Sequence, residues 1–161
     1  MLVADALALP HRPRSVDFAL SVAVVHHLST RVRRVAALVE MLEALRAETG
    51  RALVCVWALE QKGSRRGWDE GDEQDVMVPW VLKGASAQDD AQSAPDAAAA
   101  ADAEKDAETR RKVERTFQRY YHLYRQGELE EDVAEAGGVV VDHGYERDNW
   151  WAVMAPRERP T

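Results

Sequence analysis

The sequence has a single cysteine, Cys55, among 161 residues. That excludes a disulfide framework and a cysteine-based zinc site. It makes a reducing compartment, cytoplasmic or nuclear, the expectation. Long apolar runs are also missing. The longest, such as Ala19 to Val25, fall well short of the roughly 20 residues that a helical membrane span needs. The first residues lack the basic-then-apolar order of a secretion signal, so no membrane partner is expected. A Gly-x-Gly turn is absent as well. A nucleotide-binding α/β sheet normally opens with a strand followed by such a turn at a helix N-terminus. Here the chain opens on LVADALALP, which reads as the end of a strand running into a loop. The expectation is therefore the C-terminal part of an α/β domain.

The net charge of −7 is unevenly placed. Residues Ala85 to Glu108 hold seven acids against one base, Lys105, and eleven alanines. Most of the excess negative charge lies there, and the remainder is close to neutral. The folded part can thus carry a local basic patch, and an RNA partner is not excluded. With no aromatic or β-branched residue, Ala85 to Glu108 cannot bury enough surface to fix a conformation. It reads as a solvated, disordered insertion with no catalytic content.

Elsewhere the pattern is that of an α/β protein. Val16 to Val25 is apolar on both alternating faces, as in a strand buried on both sides. A helix follows, capped by Ser29 or Thr30, with Val32, Val35, Val39, Leu42 and Leu45 at helical spacing. Gly50 stands where its C-terminal stop belongs. Arg51 to Leu59 reads as the next buried strand, and strand–helix–strand implies a parallel crossover. Glu60 to Lys83, with Gly63, Gly67, Gly71 and Pro79, reads as irregular. Gly127 to Gly137 reads as a second helix, with Leu129, Val133 and Ala136 as its apolar face. Its early acids, Glu128, Glu130 and Glu131, suit the helix dipole. Two strands then close the chain as an antiparallel hairpin around a polar turn at Glu146 to Asn149.

Four groups of residues have functional candidates in them. Asp5 ends the opening strand, where ligands bind in open α/β sheets, and its carboxylate can accept from an adenine amino group; it can equally be a turn residue. His26 and His27 lie just beyond the first buried strand. Adjacent histidines at a helix start do not face one point, so they do not form a two-histidine metal site. Arg65 and Arg66 lie between glycines on a loop, which suits phosphate or carboxylate. The strip RYYHLYR, Arg119 to Arg125, reads in two ways. At helical spacing Phe117, Tyr121 and Tyr124 share an apolar face. At strand spacing Arg119, Tyr121, Leu123 and Arg125 share one side, and Tyr120, His122 and Tyr124 the other. Aromatics interleaved with bases suit single-stranded nucleic acid, and aromatic stripes also suit a core.

The segments ADALALPHRPRSVDFALSVAVVHHLST, GSRRGWDEGDEQDVMVPWVL, FQRYYHLYRQGELEED and ERDNWWAVM together resemble the eukaryotic wobble-uridine tRNA carboxymethyl methyltransferases. This family includes the methyltransferase domain of the AlkB-homologue protein. The resemblance implies a Rossmann-like class I methyltransferase sheet ending in an antiparallel hairpin. Residues 1–84 and 109–155 would form its parts, 85–108 an insertion and 156–161 a tail. It implies S-adenosyl-L-methionine as methyl donor and 5-carboxymethyluridine in the tRNA anticodon loop as acceptor. It also implies a small zinc-binding activator subunit. By position it gives Asp5, Ala6, Ser21, Ala23 and His26 to the cofactor. Arg65, Arg66, Arg119, Tyr120, His122, Arg125 and Trp150 go to the tRNA and its modified base. His26 and Arg119 are the candidates for a direct part in catalysis. In the strip, the resemblance favours Tyr121 and Tyr124 as packing residues, with Arg119, His122 and Arg125 facing RNA. An RNA-binding remnant and a small-molecule methyltransferase are the other function classes compatible with the pattern.

Overall fold

The computed structural model describes residues 3–61, 63–64, 67–82 and 115–157. They fall into two compact units, Met1–Met77 with Tyr120–Thr161, and Val78–Arg119. The expected insertion at 85–108, and Arg65 and Arg66, lie outside the described residues.

The first unit is built on a four-stranded sheet. β1 is Phe18–Val22, β2 Arg51–Trp57, β5 Gly138–Glu146 and β6 Asn149–Pro156, in the order β1-β2-β6-β5. β1 and β2 run parallel, joined through α1, Arg31–Ala44. β6 pairs antiparallel with both β2 and β5. The strand–helix–strand crossover and the terminal hairpin both follow the sequence pattern. α2, Glu128–Glu135, precedes the hairpin. Leu38, Met41, Leu42 and Leu45 of the α1 region and Leu129 and Val133 of α2 pack with Ala52, Val54, Val56, Ala152 and Met154 of the sheet. Each such full burial of a large apolar side chain stabilises the fold by roughly 1.5–3 kcal/mol.

Local chemistry sets the element ends. The Thr30 hydroxyl accepts from the Arg33 N–H, which makes Thr30 the cap of α1. A Cβ on Gly138 would lie 2.9 Å from Leu42 Cδ1 and 3.1 Å from Val133 Cγ1. A Cβ there would have to push these side chains aside, so glycine suits a β5 that starts this close to both helices.

Three expectations are corrected. β1 is shorter than Val16 to Val25 and is buried on one face only: Phe18 and Leu20 are 77% and 76% exposed. Among the described residues nothing covers that outer face. Of the row expected on α1, Leu42 and Leu45 are buried and Val35 and Val39 half-buried, but Val32 is exposed. The inward face is shifted to include Arg34, Ala37, Leu38 and Met41, because Arg34 meets buried carboxylates from α2. The stretch expected to be irregular contains β3, Asp75–Leu82, which pairs with β4, Arg115–His122, in a two-stranded sheet. Pro79 is tolerated there because an edge strand has donors to spare. The Arg119–Arg125 strip is thus extended, with strand spacing as far as His122.

Candidate active site

Two groups of side chains converge near the end of the parallel strands. The first is aromatic. His26 lies in a short 3-10 turn, Val25–His27, directly after β1, and is fully buried. Its Nδ1 accepts from the Trp57 backbone N–H at 2.9 Å. That contact makes Nδ1 the acceptor, so the ring proton is on Nε2. Nε2 is buried and has no hydrogen-bond partner among the described residues. Burial, with the neighbouring His27 and His122 adding to it, pushes the ring's pKa down to about 3. His26 is therefore neutral at pH 7 and too weakly basic to take a proton. His27 holds the opposite tautomer, because its Nδ1 faces the Tyr120 carbonyl oxygen at 2.9 Å. Around these rings Trp57 and Tyr121 stack, with centroids 4.1 Å apart and an interplanar angle of 9°. Tyr121 lies 5.2 Å from His26 and 4.3 Å from His27.

The second group is ionic. His122 Nδ1 meets Asp75 Oδ1 and its Nε2 meets Glu128 Oε1, both at 2.8 Å. Both nitrogens can donate only when both carry a hydrogen. Glu128 Oε2 accepts from the Gln74 side-chain amide at 2.6 Å and from the Arg125 N–H at 3.2 Å. Arg34 lies 3.5 Å from Glu128 Oε1 and 3.7 Å from Asp132 Oδ2. Tyr124 donates to the same Asp132 oxygen at 3.2 Å. Burial alone would raise the Glu128 pKa, but the His122 contacts, the Gln74 amide and the Arg125 N–H outweigh it and hold it below the ordinary carboxylate value. Asp75 is lowered in the same way: burial opposes ionisation, and hydrogen bonds from Tyr120 and His122 prevail. Tyr120 is pushed up to about 12, first by burial and then by its hydrogen bond to Asp75.

The residues singled out in the sequence fall as follows. Asp5 sits in a turn, its Oδ1 accepting from the Leu7 N–H at 2.9 Å and its carbonyl from the Ala8 N–H at 3.1 Å. Ala6 and Ser21 line one cavity of about 370 Å³ with Leu9, Val25 and Met41. Ala23 has a φ of 57° and its N–H bonds to the Cys55 carbonyl. His26 belongs to the aromatic group. Tyr120 and His122 belong to the ionic group, and His122 is buried. Arg125 is exposed, 4.0 Å from Glu128 Oε2. Trp150 is half-buried and donates to Glu60 Oε2 at 2.9 Å. Arg119 is in the second unit, over the Trp80 ring. Trp57, Asp75, Gln74, Arg34 and Glu128 were not singled out as site residues. Apart from the nearby His122 and Arg125 contacts of Glu128, these pairs link residues 31 to 98 positions apart in the chain, and helix or strand periodicity carries no trace of such pairs.

Over 157 residues the chain is 46% identical to the tRNA (carboxymethyluridine(34)-5-O)-methyltransferase of Schizosaccharomyces pombe, covering 95% of this chain and 62% of that protein. Over 191 it is 41% identical to the Saccharomyces cerevisiae protein of the same name, covering 98% and 68%. The chain thus spans about two thirds of the length of these relatives. Among solved structures, the methyltransferase CcbJ of Streptomyces caelestis matches with a TM-score of 0.60 at 10% identity, over 98% of this chain and 63% of that one. An S-adenosylmethionine-dependent methyltransferase from Methanosarcina mazei matches with a TM-score of 0.60 at 12% identity, over 96% and 66%. At such identities the likeness is one of fold, and it makes the sheet that of a class I methyltransferase. No family model matches the chain. With two thirds of the budding-yeast protein covered at this identity, the chain belongs to the family of tRNA (carboxymethyluridine(34)-5-O)-methyltransferases.

Proposed function

We propose that the protein transfers a methyl group from S-adenosylmethionine to the carboxylate of 5-carboxymethyluridine at the tRNA wobble position, forming the methyl ester. Family membership supports this reading. The observation within the chain that carries it is the non-basic His26 at the end of β1. An amine or hydroxyl acceptor needs a base to take its proton. A carboxylate, with an ordinary pKa of about 4, is already an anion at neutral pH and needs none.

By the resemblance Asp5 and Ala6 take the adenine, and Ser21, Ala23 and His26 the methionine end. Ala6 and Ser21 line the same mostly apolar cavity. The second carboxylate oxygen of Asp5 remains for the adenine amino group. Bound S-adenosylmethionine would supply an electrophilic methyl group on a sulfonium. The chain's own part is placement. His26 offers a neutral Nε2–H donor to an acceptor atom at the site. A neutral donor orients a carboxylate without over-stabilising its charge, which disperses in the transition state. The ionic group fixes Tyr120 and Tyr121 beside the histidines. Arg119 and Arg125, with Arg65 and Arg66, are the cations for the anionic tRNA. A small zinc-binding activator subunit is part of the proposal on the strength of the family alone, and co-purification from co-expressing cells tests it.

The activity is tested with labelled S-adenosylmethionine and tRNA carrying 5-carboxymethyluridine. Methyl incorporation should exceed that of tRNA lacking the modification. Equal incorporation in the two would sink the proposal.

A further inference from the structure

The second unit holds an exposed aromatic face that the reaction chemistry does not use. Trp80 of β3 is 37% exposed and Phe117 of β4 is 47% exposed. Their ring centroids lie 6.3 Å apart, tilted by 42°. The Arg119 guanidinium lies 4.0 Å from the Trp80 centroid, and no carboxylate pairs with it among the described residues. β3 carries one acid, Asp75 at its first position, which bonds Tyr120 and His122, and β4 carries none, with two arginines, Arg115 and Arg119. The face is therefore aromatic and carries the Arg119 cation. Soluble proteins seldom leave such side chains together without a partner.

We propose that this face binds single-stranded RNA. Bases would stack on Trp80 and Phe117, and a phosphate would pair with Arg119. An arginine lying on an aromatic ring keeps its N–H edges free for an anion. Stacking on each aromatic is typically worth a several-fold to hundredfold change in affinity and needs no particular base. The Arg119 cation over Trp80 supplies the charge complementarity. The proposal rests on the tRNA reading above and extends it to two residues that the sequence pattern did not assign.

The test is binding of a labelled anticodon stem–loop RNA by anisotropy, at several salt concentrations, alongside methyl transfer. Trp80→Ala and Phe117→Ala should each weaken binding by about tenfold without lowering the melting temperature. Trp80→Phe should restore most of it. Arg119→Ala should also reduce the salt dependence, by about 0.7 in the log–log slope for one lost phosphate contact. Trp80→Ala should leave that slope unchanged. Unchanged RNA affinity in the aromatic variants overturns the proposal, whether or not they lose a protein partner instead. If the wild type methylates tRNA while these variants bind normally, the function stands and the RNA face falls. If the variants lose binding and no transfer occurs in the wild type, the reverse holds.

Discussion

The Nε2 of His122 and the Oε1 of Glu128 lie 2.8 Å apart inside the protein, each side chain 8% exposed. This contact joins the end of β4 to the first turn of α2. Glu128 therefore does more than complement a helix dipole. It closes a chain of polar contacts from Asp75 through His122 to Arg34 and Asp132.

Loss of one member should be costly, because it leaves a buried charge unmatched. His122→Ala is expected to destabilise the protein by about 3 kcal/mol. The folded pKa of Glu128 is lowered, so its contribution is complete above its ordinary value of 4.5 and is lost as pH falls through the folded value. Acid denaturation of Glu128→Gln should accordingly be less steep below pH 4.5 than that of the wild type. Equal acid limbs would remove Glu128 from the network.

His26 provides a different pH dependence. The unfolded ring titrates at about 6.5 and the folded one at about 3. The folded state resists protonation, so stability is full above pH 6.5 and declines as pH falls toward 3. His26→Gln places an amide N–H near the position of Nε2, and His26→Asn places one near Nδ1. Glutamine should retain more methyl transfer than asparagine, and His26→Gln should leave the pH profile of kcat between pH 5 and 8 unchanged. An inflection there that disappears with His26 would mean that the ring acts as a base.

Gly138→Ala puts a methyl group against Leu42 and Val133, both in the closed core. A loss of about 1–3 kcal/mol is expected, read as a lower urea midpoint. Leu42→Ala in the same chain should return part of that loss by making room. Independent, additive losses would argue against the contact.

The outer face of β1 should promote self-association. Phe18, Leu20 and Val22 are 77%, 76% and 60% exposed on an edge strand. An exposed apolar edge is a template for pairing with another chain. Leu20→Lys should raise the concentration at which light scattering begins. A wild-type chain that stays monomeric and melts cooperatively at micromolar concentration would contradict this.

Much of the fold is legible in the sequence because its signals are local. Thr30 before the α1 pattern, the turn at Glu146 to Asn149 and the parallel crossover need only neighbours. The errors occur where distant residues decide. Nothing around Arg34 says that it faces inward, since its partners Glu128 and Asp132 are 94 and 98 residues further on. The valine row at Val32, Val35 and Val39 looked like the core face for the same reason. β3 was hidden by Pro79 and the glycines before it, which mark loops except on an edge. In the candidate site, the histidines and the strip were singled out from the sequence and the family resemblance. Neither revealed that His122 is held between two carboxylates, or that His26 and His27 carry their protons on opposite nitrogens.

The imidazole of His26 also has a consequence for the backbone. The β1–β2 ladder pairs Val22 with Cys55, and the Ala23 N–H bonds to the Cys55 carbonyl. The following inward donor, the Trp57 N–H, finds no strand and is taken by His26 Nδ1. A side chain thus stands in for one rung beyond the last strand residue. The Trp57 amide should exchange its hydrogen with solvent as slowly as the amides at Val54 and Val56, and His26→Ala should open it selectively. The end of β2 is thus held by the imidazole together with the Tyr124 N–H on the Trp57 carbonyl and the pairing of Trp57 with Asn149.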